Sequence, residues 1–332
     1  MGELLRIDNL SVSYRDRDRV VRAIDGVSLT LREGSTLALV GESGCGKTTL
    51  AMAILNLVVQ PGRVESGRIE YDGRDLLQLK GDDVRRVRGN EIAMIFQDPL
   101  SGLNPVLSIG TQVEEIVRAH RDVSKRESRR MAVEALTAEG LPQAERIFES
   151  YPFQLSGGMC QRVMIAIATI LRPRIIIADE PTSALDVTVQ ASVLHRLGRL
   201  KTELGASILL ITHDLGVVAR MADDVAVMYA GRIVESGAAG AVFARTYHPY
   251  TAGLLAALPR HDAVTHQLQP IRGVPPDLAE LTGECAFLAR CPKAISRCRT
   301  EPWPALDALE GSHAVACYNP VYQPEREAAE RV

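Results

Sequence analysis

No apolar run in this chain of 332 residues is long enough to span a bilayer. The longest stretches, VMIAIATIL (163–171) and ASILLIT (206–212), fall well short of the roughly 18 to 20 residues a membrane helix needs, so the chain is not expected to cross a membrane. An excess of positive charge is missing too. The 38 basic and 41 acidic residues are interspersed and leave a net charge of -3, which excludes the basic field that would draw in nucleic acid. No nucleic-acid partner is expected. The opening MGELLRIDNLSVSY has no basic stretch followed by an apolar one, so a secretory signal is not expected and a cytosolic location is. Internal repeats, heptad runs and low-complexity segments are absent. Cysteine is scarce, six residues in all, yet Cys285, Cys291, Cys298 and Cys317 crowd towards the end without a C-x-x-C pair. Thiols stay reduced in the cytosol, so this cluster points to metal or redox chemistry sooner than to disulfides.

With 46% hydrophobic residues, a chain of this length can bury a sizeable core and is long for one domain, so one large domain with a smaller appendage is expected. Leu10, Val12 and Tyr14 alternate with polar neighbours, and TLALV (36–40) is a short apolar run ending at a glycine; both read as strands. After GESGCGKT the period turns helical, giving strand, glycine loop and helix in that order. From Pro99 to about Leu171 the pattern is mostly helical, with SKRE (124–127) as a capping box and Gly140 and Pro142 stopping that helix. This predicts an inserted helical subdomain over about 98–172. RIIIADE (174–180) reads as a strand, Thr188 to Leu204 as a helix closed by Gly205, SILLIT as a strand running into His213, and VAVMYAGRIVESG (225–237) as a hairpin. Strands alternating with helices predict a parallel α/β sheet. The texture changes beyond Ala241, with VPPD (274–277), EPWP (301–304) and the four cysteines, so a boundary near residue 240 divides 1–240 from 241–332.

GESGCGKT (41–48) fits G-x-x-x-x-G-K-[ST] between a predicted strand and a predicted helix, the context a phosphate-binding loop requires. Its backbone N–H groups and the helix N-terminus suit anionic phosphates, Lys47 reaches the outer phosphates, and the Thr48 hydroxyl suits Mg²⁺. Gly41, Ser43, Gly44, Cys45, Gly46, Lys47, Thr48 and Thr49 are the candidate contacts. Asp179, ending a buried apolar strand, can hold Mg²⁺, and Glu180 beside it is placed to act as general base on water. An acidic pair closing a strand is more often a cap or turn; its order after the phosphate loop favours chemistry here. In LSGGMCQR (155–162), Ser156, Gly157 and Gly158 offer a hydroxyl and bare amides at a positive helix end, suited to grip a phosphate.

Leu-Ser-Gly-Gly between the two nucleotide motifs resembles the signature of ATP-binding cassette (ABC) proteins. The resemblance implies an α/β P-loop NTPase fold of the ABC type, with an inserted helical subdomain and a small cysteine-containing C-terminal extension. It implies ATP and Mg²⁺ as ligands, and a signature that grips ATP bound on an opposing cassette. By position in the same pattern, Tyr14 resembles the aromatic that stacks on adenine, with an exposed strand tyrosine as the plain alternative. Gln97 in IFQDP resembles the glutamine that touches Mg²⁺ and water, SALD (183–186) with Asp186 the loop that crosses to the partner, and His213 in ITHD the switch histidine at the γ-phosphate. Cys160 departs from the pattern, standing where relatives carry a long polar side chain, and reads as a compact buried filler. Cys45 contributes backbone more than thiol. His120, His195, His248, His261, His266 and His313 receive surface or packing roles only.

HPYTAGLLAALP (248–259), VPPDL (274–278) and the cysteine stretch resemble the C-terminal extension of ATPase subunits of dipeptide and oligopeptide importers, parts of which nickel importers share. That resemblance implies a subunit at the cytoplasmic face of the inner membrane, powering peptide import through two separate permease subunits supplied by an extracytoplasmic binding protein. Its second cassette would be a related chain, or else a second copy. Nickel import and a soluble ABC ATPase outside transport are the alternatives. The resemblance further implies a [4Fe–4S] cluster on Cys285, Cys291, Cys298 and Cys317. Zn²⁺ and unligated thiols stay open, because the spacing matches neither zinc ribbons nor common ferredoxins.

Overall fold

The computed structural model describes residues 2–16, 19–183, 186–258 and 270–322. His261, His266, Pro259 and, within SALD, Ala184 and Leu185 lie outside the described residues. The chain forms two compact units: a loop unit of residues 3–32, 36–77 and 212 onward, and a helical unit built on 33–35 and 78–211.

The loop unit begins with β1 (Glu3–Asp16), β2 (Arg19–Arg32), β3 (Thr36–Val40), α1 (Lys47–Ile54), β4 (Gly62–Tyr71) and β5 (Arg74–Asp75). β1 pairs antiparallel with both β2 and β4, in the sheet order β2-β1-β4-β5. Its most deeply buried side chains are Leu5 and Ile7, then Leu10 and Val12, so the two-residue alternation slips by one between the pairs. Asn9, at φ 47°, sits in that gap, and the register with β2 shifts there as a bulge requires.

The helical unit follows with α2 (Asp82–Val87), β6 (Ile92–Ile95), α3 (Ile109–His120), α4 (Lys125–Ala138), α5 (Ala144–Glu149), α6 (Gly157–Thr169), β7 (Ile175–Asp179), α7 (Val187–Leu204) and β8 (Ser207–Thr212). Strands β6, β7 and β8 run parallel, as expected, and every residue in them is buried. Continuous Ile, Leu and Ala runs are what a parallel strand covered on both faces needs. The four helices between β6 and β7 pack around Ile109, Val113, Ala132, Leu136, Phe148, Cys160 and Val163. Ser124 caps α4 by accepting from the Glu127 N–H at 3.2 Å, but the Glu127 carboxylate turns to Arg130, so SKRE supplies the serine half of the box. Asp186 caps α7, and Gly205 at φ 66° closes it.

The rest of the loop unit comprises α8 (Leu215–Met221), β9 (Asp224–Tyr229), β10 (Arg232–Ala238), α9 (Ala239–Ala244), α10 (Pro249–Ala256), α11 (Arg297–Thr300), β11 (Asp307–Glu310) and β12 (His313–Val315). β3 runs parallel to β9, β9 and β10 form the expected hairpin, and β12 and β11 continue antiparallel beyond β10. Residues after 240 share one core with these strands: Val40, Val227, Tyr229 and Val234 pack with Val242, Tyr250, Phe287 and Trp303. Tyr229, Tyr250 and Phe287 form an aromatic triangle with ring centres 4.6 to 5.5 Å apart. Each such pair is worth about 0.5–1.5 kcal/mol beyond its buried area. Among the described residues no helix is long and apolar enough to cross a membrane.

Candidate nucleotide-binding and catalytic site

In the loop unit, glycines let the chain turn from β3 into α1 at close quarters. A Cβ on Gly41 would lie 2.2 Å from the Met228 carbonyl oxygen in β9, and one on Gly46, at φ 109°, would lie 2.2 Å from that of Ala23 in β2. Only glycine fits such contacts between backbones. Lys47 is 7% exposed and its Nζ donates to the carbonyls of Gly41 at 2.7 Å and Glu42 at 2.9 Å. Ser43, Gly44 and Thr48 are exposed, while Thr49 is half-buried. Cys45 is buried, burial pushes its thiol up, and its carbonyl accepts from the Gly231 N–H at 3.0 Å. Tyr14 is half-buried on β1 with its ring against Gly62. His213 stands exposed before α8, where Asp214 caps the helix through the Gly216 and Val217 N–H groups.

In the helical unit, the apolar run of β7 ends on Asp179, 2% exposed, and Glu180, 9% exposed. Glu180 has φ 47°, a left-handed conformation that a non-glycine residue adopts at a cost. Its N–H donates to Ile211 O at 2.8 Å, and its carbonyl accepts from the Ser183 N–H at 3.1 Å. Gln97 is exposed just past β6, and its carbonyl accepts from Ser183 Oγ at 3.3 Å. Ser156 is the N-cap of α6; Gly157 has open space where a side chain would begin, and Gly158 packs on Val189. Cys160 is fully buried, with its thiol 3.5 Å from Pro152 O and pushed up by burial. Asp186 is exposed and accepts from the Val189 N–H at 3.0 Å. Sequence reasoning passed over Gln161, which is 1% exposed and donates from Nε2 to Pro181 O at 3.1 Å, tying the signature helix to the turn after Glu180. A polar amide three places beyond the glycine pair, on the core side of a helix, was the available signal.

The candidates thus fall into two sets: Tyr14, residues 41–49 and His213 in the loop unit, and Gln97, Ser156 to Gly158, Asp179, Glu180 and Asp186 in the helical unit. The Thr48 hydroxyl in the loop unit, and the Gln97 amide and Asp179 carboxylate in the helical unit, each offer the hard oxygen that Mg²⁺ prefers.

Cys285, Cys291, Cys298 and Cys317 line one recess together with His248, Phe287 and Tyr318. Burial, with neighbouring thiols adding to it, pushes Cys285 up to about 11 and Cys317 up to about 12. Among the described residues no group of three or more His, Cys, Asp or Glu side chains is placed to hold a metal ion. Two histidines left with packing roles have defined ones. His248 caps α10 by accepting from the Tyr250 N–H at 3.1 Å, and burial drives it down to about 3, so it is neutral. His313 meets the fully buried Glu235 at 2.8 Å, and the same carboxylate accepts from the Tyr247 and His248 N–H groups.

The ABC transporter family matches residues 24–183, and the oligopeptide/dipeptide transporter C-terminal region matches 234–298. The oligopeptide transport ATP-binding protein AppD of Bacillus subtilis is 44% identical over 319 residues, 96% of this chain and 97% of that protein. This chain belongs to the ATP-binding proteins of the ABC transporter family. The dipeptide transport ATP-binding protein DppD of Escherichia coli is 42% identical, and OppD of Salmonella typhimurium, an oligopeptide transport ATP-binding protein, is 44% identical, each over 96% of this ABC chain. Among solved structures, the ATP-binding cassette MJ0796, dimeric in a post-hydrolysis state with ADP and Pi, superimposes with a TM-score of 0.64 at 28% identity. It matches 71% of this cassette protein and 99% of its own length. The fold is therefore that of an ABC ATPase.

Proposed function

We propose that this ABC ATPase hydrolyses ATP to power the import of di- and oligopeptides through separate transmembrane permease subunits, bound peripherally at the cytoplasmic face of the inner membrane. One observation carries the reading: a complete cassette motif set stands on the same chain as a region matching the oligopeptide/dipeptide transporter C-terminus over 234–298. The relatives named for peptide transport span both parts.

The residue roles follow from their chemistry. Amides of the 43–46 stretch take the phosphates, and Lys47 turns from its two carbonyls to the β and γ groups. Thr48, Gln97 and Asp179 would hold Mg²⁺, which neutralises charge on those phosphates. Glu180 takes the proton from the attacking water, with His213 at the γ-phosphate and Tyr14 on the adenine. Ser156, Gly157, Gly158 and Asp186 serve the site of a second cassette, a related chain in our reading. An exposed aromatic stack on the helical unit, Tyr151 on Phe153 at 5.6 Å with Phe153 72% exposed, supports a docking face for a permease. A [4Fe–4S] cluster on the four cysteines that share one recess would staple the extension only once their thiols close in on it, since they are not placed to hold a metal as they stand.

Reconstitution with its permeases and binding protein tests the transport reading: peptide-stimulated ATP hydrolysis and uptake of labelled dipeptide are expected. Nickel accumulation in place of peptide, or full hydrolysis by the isolated monomer, overturns it. Iron and sulfide analysis under anaerobic conditions tests the recess, with zinc or bare thiols counting against the cluster.

A further inference from the structure

Glu42, the residue after the first glycine of the phosphate-binding loop, is gripped from three sides. The Arg290 guanidinium meets its carboxylate with two prongs, Nη1 to Oε2 at 2.6 Å and Nη2 to Oε1 at 2.9 Å. Its N–H donates to Tyr250 Oη at 2.8 Å. Its carbonyl accepts from Lys47 Nζ at 2.9 Å. Two of these three holds come from beyond residue 240.

Arg290 is itself fixed. Its side chain is 4% exposed, Nε donates to Arg272 O at 3.0 Å, and Nη1 also donates to Tyr229 Oη at 3.3 Å. A guanidinium so surrounded offers one geometry to a carboxylate, and a forked pair out of water is strong as well as directional. The loop it reaches has glycines at 41, 44 and 46, whose backbone freedom has to be held to one shape. Pro275, Pro276 and Leu278 flank the same loop, lining a recess with Glu42, Ser43, Gly44 and Cys45.

We infer that Arg290 is a positioning residue for nucleotide binding: through Glu42 it holds the phosphate-binding loop in the shape that receives ATP. The inference rests on the reading that residues 41–48 bind ATP. A flexible loop must be ordered before its amides converge on phosphate, and a clamp that orders it beforehand raises the competent fraction and with it the apparent affinity. Glu180 and its proton transfer are untouched by the clamp. Losing it therefore changes KM for ATP and leaves kcat in place.

The test uses the full chain in its assembled transporter, with Arg290→Met, Glu42→Gln, the double variant and Arg290→Lys, measuring kcat and KM for ATP and the affinity of the purified chain for ATP. Each single change is expected to raise KM roughly tenfold with kcat within about twofold. The double variant should match the singles, and Arg290→Lys should restore part of the affinity. Unchanged KM, multiplied effects in the double variant, or a fall in kcat alone overturns the inference. If Arg290→Met fails to fold, Glu42→Gln decides alone, since it alters one loop side chain and keeps its shape. Lys47→Ala separates the two levels: if ATP still binds, the reading of the loop fails and this inference with it. If binding is lost there while Glu42→Gln binds normally, only the clamp is wrong.

Discussion

Glu180 holds a backbone conformation that costs on the order of 1–3 kcal/mol for a residue with a Cβ, and it does so at the end of a fully buried strand. Its N–H bond to Ile211 O fixes the backbone there, so the carboxylate is presented from a rigid base. Glu180→Gln keeps the shape and removes the proton acceptor. ATP binding is expected to stay within about twofold while turnover in the assembled transporter falls at least about 100-fold, read by steady-state hydrolysis. Two glycines give a contrasting pair. Gly41→Ala drives a Cβ into a backbone carbonyl 2.2 Å away, so chemical denaturation should show a loss of about 1–3 kcal/mol together with weaker ATP binding. Gly157→Ala meets open space at the start of a helix, so stability should hold or rise by up to about 1 kcal/mol. If its bare amide serves a partner's phosphate, turnover falls all the same; unchanged turnover removes that role.

At the scale of elements, local chemistry carried most of the reading. Five buried residues before a glycine gave β3, the IIIAD run gave β7, and Gly205 closed α7 because caps are written in single residues, while Asp186 as its N-cap went unread. Pairings between distant elements were not legible. β12 adds to β10 through Glu235 and His313, 78 residues apart, and Arg290 meets Glu42 across 248 residues; no period or cap encodes such separations. The second sheet, β2-β1-β4-β5, was hidden for a related reason, since its alternation is broken at Asn9. The helical unit has a similar long-range tie. Glu139, at the end of α4 and 2% exposed, takes two prongs from Arg196 of α7 at 2.8 to 3.0 Å. Replacing Arg196 by Met strands a buried carboxylate and should cost about 3–5 kcal/mol in denaturant, with Glu139→Gln costing less because its partner stays partly solvated. Equal costs would show that packing of the arginine stem, not charge, joins the helices.

For the whole molecule, the placement of the signature matters most. Ser156 and Gly157 sit exposed at the N-terminus of α6, a 13-residue helix whose positive end suits an anion. Helix N-termini of this kind stabilise only what is brought to them, and a phosphate bound at the 41–48 loop of a second cassette is the anion the proposed mechanism supplies. In the proposed mechanism ATP would act as glue between two cassettes, and its hydrolysis would release them. Trapping the uncleaved state makes this visible. The Glu180→Gln chain with MgATP is expected to stay monomeric by light scattering, and to dimerise once a related cassette from the same transporter is added, because our reading makes the partner a different chain. Ser156→Arg should abolish that dimer while leaving ATP bound at Lys47. Dimers formed by the Glu180→Gln chain alone would instead make the partner a second copy. Dimers that form without nucleotide, or survive Ser156→Arg, would mean that the contact between cassettes does not run through phosphate.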